Sequence, residues 1–198
     1  MPTLTALCIF IAILTLRATY ALPQQLHQDV PGAAEFYEWL NRRPCASVQD
    51  LASSDNLEPP SLNITEKFHV QGTDDTDIEV ITNVRIIKRQ NLCNLLSTIG
   101  QEALDHVPAP LPADYYKQSP PLVPGQPIPP DTVSFSLRSN TRLREPATYL
   151  TLFHTILGLI QWNIEGSRYV ALKFSVYEGI GKKATGDLTQ GLDEFTVN

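Results

Sequence analysis

Apolar residues in the last third of the chain recur with two different periods, and the two periods predict two kinds of element. Between residues 146 and 165 the spacing is that of a helix, and its apolar stripe is broad enough to pack against a sheet. The stripe consists of Tyr149, Leu152, Phe153, Ile156, Leu157, Ile160 and Ile164. Pro146 should lie in the first turn of this helix, and Gly166 should end it. Apolar and polar residues alternate on either side, which predicts strands at 133–137, 169–177 and 184–189, with a hairpin turn at 179–183.

The first half of the chain carries the same signals in a different order. Residues 33–43 predict a short amphipathic helix, with Phe36, Trp39 and Leu40 on one face. Strands are predicted at 62–70 and 77–88, joined by a turn at 72–75. The second of these strands should turn one face inward, which consists of Ile78, Val80, Thr82, Val84 and Ile86. A helix at 91–106 is predicted from the spacing of Leu92, Leu95, Leu96, Ile99 and Ala103.

Prolines dominate the segment between Pro108 and Pro130, where nine of 23 residues are proline. Proline lacks the backbone donor that helices and sheets use. We therefore interpret this segment as a linker or as a wrapped polyproline segment.

The order of these elements predicts the domain organisation and the fold class. The predicted segments are a leader at 1–21, an N-terminal helix and loop at 22–61, a first βα unit at 62–107, a proline-rich linker at 108–131 and a βαββ unit at 132–198. We expect residues 62–198 to form one globular domain. The predicted fold is an α+β two-layer sandwich, with helices packed on one face of a mostly antiparallel sheet.

The first residues carry the features of a signal peptide. Residues 4–16 are an uncharged apolar run of thirteen residues, which is too short for the roughly 20 residues that span a bilayer. Arg17 closes the run, and small residues precede a cut after Ala21. We predict a secreted protein, with a retained anchor as the alternative. The formal net charge of −6 and the pI of about 5.1 argue against a nucleic-acid partner. We expect an unknown extracellular partner and no membrane association after the leader is cleaved.

Cysteine usage and one sequence motif fit an oxidising compartment. Cys8 leaves with the leader, so Cys45 and Cys93 remain as an even pair, and we predict that they form a disulfide. The alternative is a pair of buried free thiols. Asn63 begins an Asn-Ile-Thr acceptor motif, which predicts glycosylation at Asn63.

Several short stretches resemble a family of small secreted proteins from filamentous fungi. They are Phe68-His69-Val70-Gln71-Gly72-Thr73, Tyr149-Leu150-Thr151 and Phe174-Ser175-Val176-Tyr177-Glu178-Gly179. The resemblance covers roughly residues 66–190 and rests on element order and on a few aromatic and glycine positions. It implies no activity and no catalytic residue.

Common catalytic motifs are missing from the sequence, among them the nucleophile elbow, the paired zinc histidines and the dinucleotide glycine motif. We assign no catalytic, cofactor or metal residue. His154 is the best single candidate for acid or base catalysis, although a core histidine is the more ordinary interpretation. Asp74, Asp75 and Asp77 could hold calcium, but a solvated turn is the favoured interpretation.

These observations favour a secreted, non-catalytic binding or effector-like factor. One alternative is a small secreted or lumenal accessory enzyme of a secondary-metabolite pathway, with a pocket near His154 or Tyr149. Another alternative is a carrier of lipids or small ligands. The dibasic pair Lys88-Arg89 is a candidate site for proteolytic processing.

The disulfide can be tested on the secreted protein by peptide mapping without reduction, which should give a Cys45–Cys93 cross-linked pair. A closed loop of about fifty residues contributes roughly 4 kcal/mol in the chain-entropy model. Cys45→Ser, Cys93→Ser and the double variant should therefore lose similar stability in urea unfolding. Alkylation of both cysteines before reduction would rule the disulfide out.

Overall fold

Hairpins and helices alternate along the part of the chain that the computed structural model describes, residues 27–42, 64–121, 128–141 and 145–191. The helices are α1 (Ala33–Asn41), α2 (Arg89–His106) and α3 (Tyr149–Leu159), and α3 continues as a π-helical segment, Ile160–Glu165. The strands are β1 (Thr65–His69), β2 (Thr76–Ile86), β3 (Asp114–Ser119), β4 (Val133–Ser139), β5 (Val170–Glu178) and β6 (Gly181–Gln190). The leader, Cys45 and Asn63 lie outside these ranges.

The strands form one sheet in the order β1-β2-β5-β6-β4-β3, and every neighbouring pair is antiparallel. Side chains alternate between the two faces, as the strand period requires. Val80, Phe174 and Leu137 point to the side on which the helices pack, and all three are buried. The predicted α+β class, with helices on one face of an antiparallel sheet, is confirmed.

Helix α3 is the central element of the helical layer. Every residue from Thr151 to Leu159 is buried, so this helix has no side that faces water. Its first turn is closed by a capping box, in which Thr148 accepts a hydrogen bond from the Thr151 backbone and the Thr151 hydroxyl accepts one from the Thr148 backbone. The helix therefore begins at Tyr149, and the predicted placement of Pro146 in the first turn is wrong.

The N-terminal helix α1 belongs to the same core, although the predicted globular domain began at residue 62. The Phe36 ring is fully buried and contacts the Phe153 ring edge-on, with 5.5 Å between centroids. The close approach of α2 depends on Gly100, since a Cβ there would lie 2.5 Å from the Phe36 ring. Burial of a large aromatic side chain is worth several kcal/mol, so α1 is a structural part of the domain.

Three local predictions differ from the structure. Strand β3 lies within the segment that was predicted to be a linker. A strand can form there because Pro112 and Pro120 flank it, so that no proline occupies a position that pairs with β4. Strand β2 has a register shift between Thr82 and Ile86, so Ile86 is 46% exposed and Ile87 is buried in its place. The last hairpin turn is also shorter than predicted, since β6 already begins at Gly181.

The connection from α3 to β5 is fixed by a buried side-chain amide. Asn163 donates from Nδ2 to the Val170 carbonyl at 3.0 Å and accepts from the Val170 backbone amide at 3.1 Å. The turn between them contains two non-glycine residues with positive φ, Ser167 (53°) and Tyr169 (44°). The Asn163 side chain thus makes the two hydrogen bonds with the Val170 backbone that a neighbouring strand would make. These hydrogen bonds offset the cost of the strained turn.

Packing across the centre of the sheet can be tested at Gly186. A Cβ at Gly186 would lie 2.2 Å from the Ser136 carbonyl oxygen and 2.4 Å from the Phe174 ring. Gly186→Ala should therefore lower the free energy of unfolding by about 1–3 kcal/mol, because the core cannot make room without strain. Gly181→Ala in the same strand is the matched control, since nothing lies within 4 Å of its Cβ. Urea unfolding measures both variants, and equal midpoints would contradict this packing.

Candidate functional site

His154, the best sequence candidate for acid or base catalysis, lies in the core. Its side chain is 5% exposed, and its Nδ1 lies 3.0 Å from the Thr76 hydroxyl. Burial lowers the pKa of His154, and the nearby carbonyl of Pro31 and the carboxylates of Asp75 and Asp74 oppose this shift. A neutral imidazole that substrate cannot reach is a core histidine, which was the more ordinary interpretation.

Tyr149 does not share a pocket with His154. The two residues are five positions apart on α3, which separates them by roughly 140° around the helix axis. The Tyr149 ring stacks on His106 at the end of α2, with 4.9 Å between ring centroids. The catalytic pocket that the enzyme hypothesis places near these residues is not assembled by the described side chains.

The aspartates of the β1–β2 turn are spread over different roles. Asp77 forms ion pairs with Lys67 and His69, each at 3.0 Å, while the Asp75 carbonyl accepts a hydrogen bond from the Gly179 backbone amide. Within residues 27–42, 64–121, 128–141 and 145–191, no group of three or more His, Cys, Asp or Glu side chains is placed to hold a metal ion. The arrangement is that of a solvated turn.

His69 sits on the other side of the same turn and has the opposite electrostatic environment. Its Nδ1 faces the Asp77 carboxylate at 3.0 Å, and its Nε2 faces the Thr73 carbonyl at 3.0 Å. Two acceptors can be satisfied together only by the doubly protonated ring, so Asp77 and then Thr73 raise the pKa of His69. His69 and Lys67 in turn lower the pKa of Asp77.

The face of the sheet opposite the helices is polar and is crossed by two rows of aligned side chains. The first row runs across all six strands and consists of Thr65, Ile81, Lys173, Asp187, Ser136 and Tyr116. The second row consists of Lys67, Glu79, Ser175, Thr185, Arg138 and Asp114. We call this surface the open face, because no helix or strand in the described ranges packs on it.

Two neighbouring depressions lie between these rows on the open face and share lining residues at its centre. One has a volume of about 310 Å³ and the other of about 290 Å³, and Thr185 and Asp187 line both. Together they form a trough from Ile81 on β2 to Tyr116 on β3. Both ends carry exposed apolar surface, since Ile81 is 43% exposed and Tyr116 is 60% exposed.

Three charged groups in the trough have partners within the protein. Arg138 donates from Nε to Asp114 at 2.8 Å, and Ser136 donates to Asp187 at 3.3 Å. These groups were not singled out from the sequence. The alternation of apolar and polar residues in the strands indicated that these residues face away from the core. Only the strand register shows which of them are neighbours.

The remaining sequence candidates fall into two groups. Cys93 is buried on α2, whereas its predicted partner Cys45 and the glycosylation candidate Asn63 lie outside the described residues, so both modifications stay predictions. Lys88 is paired with Asp131 at 2.9 Å, and Arg89 is the first residue of α2. A helical arginine is a poor substrate for proteases that bind extended chains, so this geometry does not favour processing.

Comparison with known proteins adds no family to this geometry. Neither the family models, nor the curated proteins, nor the solved structures compared with the chain give a match. Among the described helices, none is long and apolar enough to cross a membrane.

The two histidines should titrate on opposite sides of the ordinary pKa of 6.5. The pKa of His154 is lowered in the folded protein. The folded state therefore loses stability as pH falls below about 6.5, because the imidazole binds a proton more readily in the unfolded chain than in the core. His69 has a raised pKa, so its contribution is complete below 6.5 and is lost as pH rises through its folded value.

NMR titration of the imidazole Cε1–H signals measures both values. We expect the His69 midpoint above 6.5 and the His154 midpoint below it. Asp77→Asn should lower the His69 midpoint and leave that of His154 unchanged, because only His69 contacts this carboxylate. A His154 midpoint at or above 6.5 would contradict its placement in the core.

Proposed function

We propose that this chain is a secreted, non-catalytic protein that binds an extracellular partner through the open face of its sheet. The observation that carries the proposal is the asymmetry of the sheet. One face is buried under the helical layer, while the other presents polar side chains from all six strands around a trough. The apolar leader and the Asn63 acceptor motif support secretion.

The titratable groups favour recognition over catalysis. A general acid or base needs a proton that substrate can reach and a pKa near the working pH. His154 is neutral but buried, and both ring nitrogens of the exposed His69 are engaged by Asp77 and Thr73. Neither of these two histidines therefore supplies the enzyme alternative with an accessible general acid or base.

The backbone beneath the trough favours binding as well. Its lining side chains stand on five strands of one sheet, and strands hold side chains more rigidly than loops do. A rigid site loses little conformational entropy when a partner binds. The short side chains Ser175, Thr185 and Ser136 leave the centre of the trough accessible.

The proposal is tested by blocking the trough at its centre. Thr185 is exposed and lines both depressions, so Thr185→Arg should fill the trough without disturbing the core. Thr98→Arg, at an exposed position on α2, is the matched control. The fluorescently labelled proteins are added to the cells and extracellular matrix of the producing organism, and bound protein is measured against concentration.

We expect wild type and Thr98→Arg to bind saturably and equally, and Thr185→Arg to bind at least tenfold more weakly. Equal binding by all three proteins, or no saturable binding by any of them, would contradict the proposal. Circular dichroism of the two variants provides the check on folding.

A further inference from the structure

We propose that the ligand of the trough is a neutral oligosaccharide several pyranose units long. This inference rests on the proposed function, because it names the ligand class for the same face. The argument uses four properties of the trough, which are its length, its exposed aromatic ring, its lack of excess positive charge and its supply of donors and acceptors.

The dimensions of the trough suit a chain of linked rings. Ile81 and Tyr116 mark its ends and lie on strands that are four inter-strand spacings apart. Neighbouring strands lie about 4.8 Å apart, so the trough is roughly 19 Å long. A single sugar would leave most of this length empty, whereas a linear chain of several pyranose rings would fill it.

The exposed ring of Tyr116 is a platform for an apolar sugar face. The ring is 60% exposed, and its hydroxyl lies 3.0 Å from both Gln118 Oε1 and Ser134 Oγ. These contacts fix the ring at the edge of the sheet, and it stacks on no other aromatic ring in the described part of the chain. The C–H face of a pyranose stacks on such a ring in the same way as other apolar groups do.

The charges of the trough disfavour an anionic ligand. Three carboxylates (Glu79, Asp114 and Asp187) accompany two cations (Lys173 and Arg138), so there is no cationic excess to attract a polyanion. The whole chain carries −6, which also opposes anionic polymers. The Arg138–Asp114 pair at 2.8 Å neutralises one cation against one anion within the protein, so a neutral ligand does not have to replace either charge.

The polar groups of the trough match hydroxyls better than they match a peptide. Carboxylates accept, the guanidinium donates, and the hydroxyls of Ser136, Ser175 and Thr185 do both. A sugar hydroxyl also donates and accepts, so adjacent hydroxyls can use both kinds of partner. An extended peptide is usually bound through backbone pairing at a sheet edge, and the trough crosses the face of the sheet rather than its edge.

The inference is tested by calorimetric titration of the full secreted chain with defined oligosaccharides. The probes are cellohexaose, laminarihexaose and chitohexaose as neutral chains, with the matching trisaccharides, and hexagalacturonate as the anionic chain. At least one neutral hexaose should bind saturably and more tightly than its trisaccharide, while hexagalacturonate should not bind.

Ring stacking and structural effects are separated by two substitutions at one position. Tyr116→Ala should weaken binding about tenfold, and Tyr116→Phe should stay within threefold of wild type, because it keeps the ring. Arg42→Ala is the control for removal of an exposed ion pair away from the trough, and it should bind as wild type does.

The outcomes distinguish this inference from the proposed function. If no neutral hexaose binds, or if Tyr116→Ala keeps full affinity, the oligosaccharide is the wrong ligand. Tighter binding of hexagalacturonate, or of an extended peptide from the matrix, would overturn it as well. In each of these cases a loss of cell-surface binding in Thr185→Arg would still uphold the proposed function, whereas failure of both experiments would remove both proposals.

Discussion

The complete burial of α3 is the constraint on which the rest of the structure depends. A helix with no polar side must be covered all round. The sheet approaches closely on one side, where a Cβ at Gly158 would lie 2.4 Å from Ile78. The remaining sides are covered by α2 and by Phe36 of α1. Two polar side chains of the helix find partners inside the core, since the Thr155 hydroxyl donates to the Thr151 carbonyl at 2.7 Å and His154 Nδ1 lies 3.0 Å from the Thr76 hydroxyl.

This requirement also determines what the other face of the sheet can do. Helices α2 and α3 pack on the inner face, and α1 packs on these two helices through Phe36. The outer face is left to side chains that tolerate water, and the strand period assigns every second residue to it. A polar surface of six strands therefore follows from the way in which one apolar helix is buried.

Sequence reasoning predicted the parts of the structure that depend on local periodicity. The inward residues Val170, Leu172, Phe174 and Val176 of β5 are all buried, as the alternation predicted. Strand β3 was missed because prolines mark positions where a strand cannot pair. They do not show that the six residues between two of them form an edge strand. The site could not be predicted, since Tyr116, Asp187 and Ile81 are brought together by register across a sheet whose strand order is not that of the chain.

Stability and recognition are separated along the same strand. In β6, Ala184, Gly186 and Leu188 face the helices, while Thr185 and Asp187 face the trough. Exposed ion pairs contribute about 0–1 kcal/mol to folding, and the Arg138 and Asp114 side chains are 79% and 73% exposed. Changes at this pair therefore cost the fold little. Because the period of a strand is two, substitutions on the open face can alter recognition while the core beneath it is unchanged.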